Sequence, residues 1–127
     1  MSASPKPGIG RIAWRDLTVA DAERVRDFYT AVVGWKPEPV DMGGYADYNM
    51  TAPDTGEPMA GVCHARGVNT GIPAQWLLYF TVADLAASLE HCVALGGEVV
   101  REPQGSGPGR ICIIRDPAGA VCALSEA

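Results

Sequence analysis

The chain offers few side chains that could do chemistry together. It has two histidines, His64 and His91, and four cysteines, Cys63, Cys92, Cys112 and Cys122. No two cysteines form a CxxC pair. A lone histidine does not make a metal site, because divalent ions need several N, O or S donors. His91 stands beside Glu90 in a helical pattern and reads as an exposed helix histidine. The sharper acid/base candidates are Asp16 and His64, each in a strand-like run with apolar neighbours. A carboxylate or imidazole in such surroundings needs a partner or shifts its pKa, and it can then bind a polar ligand group or move a proton. Tyr48 and Tyr79 add hydroxyls on similar runs, with core packing as their other reading.

The elements that must position these groups are marked by pattern and punctuation. Residues 10–19 read as a first strand. Asp21 then caps a helix to about Val33, with Gly34 as its C-cap. Val25, Phe28, Tyr29, Val32 and Val33 recur at the spacing of one buried helical face. Three strands follow, at 35–42, 45–51 and 58–65. The first of these holds Pro37 and Pro39 and is expected at an edge. Residues 66–74 have no periodicity and read as a linker. A continuous apolar run, 75–82, predicts a strand covered on both faces. Asp84 caps a second helix with the stripe Leu85, Leu89, Cys92 and Val93, ended by Gly96-Gly97. Strands at 98–102, 110–115 and 120–125 complete the chain.

This order is a repeat. Thr18-Val19-Ala20-Asp21 recurs letter for letter as Thr81-Val82-Ala83-Asp84. At the same offset of 63, Gly34 matches Gly97 and Gly56 matches Gly119. The prediction is a single α+β domain over 1–127, made of two tandem βαβββ modules: about 10–65, a linker at 66–74, and 75–126.

With 127 residues, 47% of them apolar and 20% charged, the chain can bury a core of its own. A net charge of −5 with no basic run argues against nucleic acid and anionic membrane as partners. No apolar stretch is long enough to span a bilayer. Residues 1–8 lack the hydrophobic core of a signal peptide and read as a flexible lead-in. The cysteines then read as buried, reduced thiols, and a cytoplasmic setting is expected.

Several landmarks together resemble the vicinal oxygen chelate superfamily, the group of glyoxalase I, the bleomycin-resistance proteins and the extradiol dioxygenases. They are Asp21 with Phe28-Tyr29 and Gly34-Trp35, then Trp76 through Asp84, Gly96-Gly97, and Asp116-Pro-Ala-Gly-Ala120 with Leu124. The likeness runs from about residue 10 to 125. It implies a curled eight-stranded mixed sheet, a cup around a small-molecule site, and a homodimer as the common assembly. In metal-using members one ligand lies seven residues before the Asp that opens each helix, and another lies on the last strand of each module. Carried onto this chain, those positions are Trp14, Ala60, Leu77 and Ala123, and none can hold a metal. The expectation is therefore a site with no metal and no cofactor.

Strand alternation supplies the rest of the implied lining. Trp14, Asp16 and Thr18 should face the cup from the first strand, and Leu77, Tyr79 and Thr81 from the fifth. Ala60, Val62, Val121 and Ala123 should face it from the last strands of the modules. Tyr48 and Met50, matched by Ile111 and Ile113, should form walls. His64, four residues beyond Ala60, should look in near the rim. Trp14 has a second reading, as a plug filling the space of a metal. Asp16 has one too, reaching solvent or pairing with Arg11 or Arg15. Three functions remain open at this point: a metal-free cup for a small apolar or aromatic molecule, an acid/base or metal-dependent enzyme of the superfamily (lyase, isomerase or dioxygenase), and an interaction protein with a collapsed cup. Asp16 and His64 are the catalytic candidates for the second.

Overall fold

Two aspartates start the two helices. The Asp21 carboxylate accepts from the Arg24 backbone N–H at 3.2 Å, and that of Asp84 accepts from Ala87 at 3.1 Å. These caps satisfy orphan donors of the first turn and open α1 (Ala22–Val33) and α2 (Leu85–Ala94). Gly34 closes α1 at φ 88°, in the left-handed region where glycine is unstrained. The computed structural model describes residues 8–127, so the lead-in read at 1–8 lies, apart from Gly8, outside the described residues.

The architecture is α+β, with eight strands of mixed direction in two βαβββ repeats. The strands are β1 (Ile12–Val19), β2 (Lys36–Asp41), β3 (Ala46–Thr51), β4 (Pro58–His64), β5 (Trp76–Val82), β6 (Glu98–Arg101), β7 (Ile111–Arg115) and β8 (Val121–Glu126). A 3₁₀ turn at Gly67–Asn69 interrupts the stretch read as linker. Among the described residues, no helix is long and apolar enough to cross a membrane. The chain divides into two compact units, Trp14–Trp76 (the first unit) and Leu77–Ala127 with residues 8–13 (the second).

In the first unit the strand order is β2-β3-β4-β1, with β1 parallel to β4 and the other pairs antiparallel. The proline-bearing β2 pairs with β3 alone within this order. Ala22, Val25 and Tyr29 of α1 pack on Tyr48, Met50 and Val62, with Trp35 and Trp76 beside them. The Trp76 indole N–H donates to the Tyr29 hydroxyl at 3.1 Å, so two bulky aromatics enter this core with their polar atoms satisfied. Phe28, Val32 and Val33, expected in the buried stripe, are exposed. The helix meets the sheet along one narrow row, and the wider apolar arc turns away from it.

The second unit has the order β5-β8-β7-β6, with β5 parallel to β8. Leu85 and Leu89 of α2 pack on Phe80, Cys112, Ile114 and Leu124. Val93, expected in the stripe, is exposed, and Cys92 is half-buried. The Glu126 carboxylate accepts from the Leu85 N–H at 2.8 Å and from Arg110 at 3.4 Å, tying the end of β8 to the start of α2. The Leu85 N–H, followed by Arg110, holds the Glu126 carboxyl below its ordinary value.

The two repeats differ in register. Tyr79 pairs with Ala123, and Ala123 with Ile113. The offset of 63 predicts Asp16, Ala60 and Met50 as the matching row. Instead Asp16 pairs with Gly61, and Gly61 with Asn49. The two hairpins are paired alike, Tyr48 with Val62 and Met50 with Ala60 matching Ile111 with Ser125 and Ile113 with Ala123, so the slip lies between β1 and β4. Each strand of the first hairpin is displaced by one residue, which moves every side chain to the other face.

Candidate functional site

That slip decides which side chains each unit presents on the face away from its helix. In the first unit Tyr48, Met50 and Val62 lie under α1, in the core, and Ala60 pairs with Met50 on that same side. The expectation that these four face the site is corrected, as is the expectation for His64, which bonds to α1 itself. In their place, alternation brings Asn49, Gly61 and Cys63 to the helix-free face beside Trp14, Asp16 and Thr18. Nothing local in the sequence marks the change, because the hairpin keeps its own pairing and slides by one residue along β1.

Asp16 is the most deeply set charged group of this face, at 8% exposure. The Cys63 thiol donates towards its Oδ2 at 4.0 Å. Burial, and then the negative field of Asp16 and Asp47, push the Cys63 thiol far up, so it stays protonated and is no nucleophile. Gly61 lies under these groups. A Cβ there would stand 3.0 Å from the Asp16 Cβ, 3.5 Å from the Trp14 Nε1 and 3.6 Å from the Cys63 Sγ. The missing side chain is therefore what lets the indole edge and the carboxylate lean over β4.

The second unit places Leu77, Tyr79, Val121, Ala123 and Ile113 on its own helix-free face, all buried. Thr81 and Ile111 follow by alternation and are half-buried. This face is apolar apart from the Tyr79 phenol and Thr81.

His64 belongs to a different cluster. Its Nδ1 lies 3.1 Å from the Asp47 Oδ1 and its Nε2 lies 3.0 Å from the Glu23 Oε2 on α1. The backbone N–H of His64 also donates to Asp47. Tyr45 packs edge-on against the ring, with the Arg66 guanidinium 3.8 Å above the Tyr45 ring. Burial works to lower the His64 pKa, but hydrogen bonds to Asp47 and Glu23 outweigh it and hold the pKa above its ordinary value. With a carboxylate on each nitrogen, the imidazolium fastens α1 to β3 and β4 and has no free nitrogen for a substrate.

The metal question can be put to the residues themselves. The register puts Gly61, not Ala60, in the row of Asp16, so the four positions become Trp14, Gly61, Leu77 and Ala123. An indole, a hydrogen, an isobutyl and a methyl supply no donor, and the donor set does not fit a divalent ion. Among the described residues, no group of three or more His, Cys, Asp or Glu could hold one elsewhere.

Comparison with known proteins gives three consistent findings. The family model described as Glyoxalase/Bleomycin resistance protein/Dioxygenase superfamily matches residues 8–124. An anthracycline biosynthesis protein of Streptomyces peucetius, DnrV, is 33% identical over 117 residues, and a second, DauV of a Streptomyces species, is 32% identical over the same length. Each alignment covers 92% of this chain but 42% of the relative, so the chain spans about two fifths of those proteins. Among solved structures, a methylmalonyl-CoA epimerase of Streptomyces coelicolor, in complex with 2-nitronate-propionyl-CoA, superposes with a TM-score of 0.53 at 19% identity, covering 94% of this chain and 98% of that one. That likeness concerns the fold.

Proposed function

Because this chain belongs to the glyoxalase/bleomycin resistance protein/dioxygenase superfamily, we propose that it binds a small, largely apolar or aromatic molecule on helix-free sheet surface, without a protein-held metal. The observation that carries this reading is the replacement of every ligand position by Trp14, Gly61, Leu77 and Ala123, while the repeat around them is intact. Such a surface has the make-up of small-molecule sites, apolar and aromatic with few orienting polar groups. The names of the two Streptomyces relatives make an anthracycline, a polycyclic aromatic compound, the first ligand class to test. Purified protein should bind a fluorescent anthracycline saturably, at one site per chain, with and without chelator, and carry no stoichiometric metal by elemental analysis. Stoichiometric zinc, nickel, manganese or iron would sink the proposal.

A second reading follows from Asp16, a buried carboxylate on this face. It is that of a metal-independent acid/base enzyme in which Asp16 takes a proton from a bound substrate. A substrate whose turnover rises with pH through one carboxylate-like pKa, and is lost in Asp16→Asn with binding retained, would favour it over simple binding.

A further inference from the structure

Each unit carries a groove between its helix and the last strand of its order. In the first unit it runs between α1 and the β2–β3 pair, a cavity of about 380 Å³ lined by Arg26, Asp27, Pro37, Pro39, Ala46 and Tyr48. Arg26 supplies the cation of that groove. Its Nε donates to the Asp27 Oδ1 at 2.9 Å, and its guanidinium lies 4.7 Å from the centre of the Tyr48 ring. In the second unit the groove runs between α2 and β6, a cavity of about 500 Å³ lined by Leu89, Glu90, Val93, Ala94, Val99 and Glu102. Val99 reaches it because it pairs with Ile114, which packs under α2. Leu89, Glu90 and Glu102 stand where the offset of 63 puts Arg26, Asp27 and Pro39. The acid on the helix is kept, the cation beside it gives way to an apolar side chain, and a second acid is added. Among the described residues, neither Glu90 nor Glu102 is in an ion pair.

We propose that the α2–β6 groove binds a small organic cation, an ammonium or guanidinium on an apolar chain. The apolar part lies on Leu89, Val93 and Val99, and the charge meets Glu90 and Glu102. The chemistry of the occupant comes from the sister groove, where an aliphatic stem with a cationic head is built into the chain as Arg26. The second groove has the floor and the acids for such a group and lacks the group itself. A neutral apolar ligand would cover Val93, which is 61% exposed, but would leave two carboxylates of like charge around one groove. A cation covers the same surface and offsets that repulsion. The volume lies within the range of small-molecule sites. The groove is on the α2 side of the second unit, opposite its helix-free face, so this inference stands apart from the small-molecule reading above.

Octylamine, protonated at neutral pH, and octanol are probes of one chain length that test this. Titration followed by backbone-amide NMR measures the affinity of each and places it by the signals that move saturably. Octylamine is expected to move the signals of residues 89–94 and 98–102, and to bind there about fivefold more tightly than octanol, the scale of one exposed ion pair. The double variant Glu90→Gln with Glu102→Gln, at two exposed positions, should reduce that preference to within about twofold and leave octanol affinity unchanged. Leu89→Arg, which restores the pattern of the first unit, should remove octylamine from the groove. If Leu89→Arg does not fold, the double glutamine variant carries the test. Signals of the groove that stay still in the native chain overturn the site. Movement confined to Leu77, Tyr79, Ile113 and Ala123 overturns it too, while supporting the separate reading of the helix-free face. Equal affinity of the two probes in the groove, or a preference that survives the double variant, overturns the cation as its occupant.

Discussion

At the scale of single residues, two glycines show how the same substitution tests different things. Neither Gly61 nor Gly97 has a positive φ, so an alanine backbone is tolerated at both and only the surroundings object. At Gly97 a Cβ would lie 2.6 Å from the Cys92 Sγ, 2.9 Å from the Arg115 carbonyl oxygen and 3.0 Å from the Cys92 carbonyl oxygen. Two of those neighbours are backbone atoms of α2 and β7, which cannot swing aside. At Gly61 the nearest atom is the Asp16 Cβ at 3.0 Å, part of a side chain that can shift by a few tenths of an ångström. Overpacking against fixed atoms costs about 3 kcal/mol, towards the upper end for inserted groups, whereas a yielding contact costs about 1 kcal/mol. In urea denaturation, Gly97→Ala should therefore be clearly less stable than Gly61→Ala. The reverse order would mean that the helix–strand junction at Gly97 is looser than these contacts require. Gly61→Ala should act mainly on the binding face, by displacing Asp16.

At the scale of elements, the His64 cluster ties the first turn of α1 to β3 and β4, and its strength depends on pH through two groups of opposite sign. His64 has a folded pKa above its ordinary value of 6.5. Its contribution is fully present below that value and is lost as pH rises through the higher, folded one. Glu23 has a folded pKa below its ordinary 4.5, through its own backbone N–H first and His64 second. Its contribution is present above that value and is lost as pH falls through the lower, folded one. The window in which both act is therefore 4.5 to 6.5. Unfolding free energies of native chain and His64→Gln should differ most inside that window, and the gap should narrow towards about pH 9 and again towards about pH 3. A gap that widened steadily with pH would show that the ring is held neutral. This cluster also shows what the sequence hides. His64 and Ala60 share a strand face, as alternation requires, but which face it is depends on the register of β4 against β1, a long-range pairing that the local sequence does not mark.

At the scale of the whole chain, the legible and illegible parts separate by the range of the interactions that determine them. The duplicated Thr-Val-Ala-Asp, the caps Asp21 and Asp84, and the glycine after α1 act locally, so the two βαβββ repeats could be read from composition and spacing. The helix-free face of the second unit (Leu77, Tyr79 and Ile113) is the one that strand alternation from the repeat predicts. In the first unit Trp14, Asp16 and Thr18 kept their face, being on the strand that carries the repeat. Tyr48, Met50 and His64 did not, because the one-residue slip of their hairpin along β1 is set by pairing between distant strands and has no local signature. The loss of metal donors is independent of that error, since Ala60 and Gly61 are equally unable to ligate, and this gives the last prediction. A metal held by the folded chain and not by the unfolded one stabilises by about 2.7 kcal/mol at a hundredfold excess over its dissociation constant. For a domain of this size that is a shift of roughly 10 °C in unfolding temperature. Adding EDTA, or zinc, nickel, manganese or ferrous ion to chelator-treated protein, should move the melting temperature by less than about 1 °C. Since Trp14, Leu77, Gly61 and Ala123 offer no lone pair, a reproducible rise of several degrees with one of these ions would require donors elsewhere in the folded chain, and elemental analysis of the stabilised sample would give their stoichiometry.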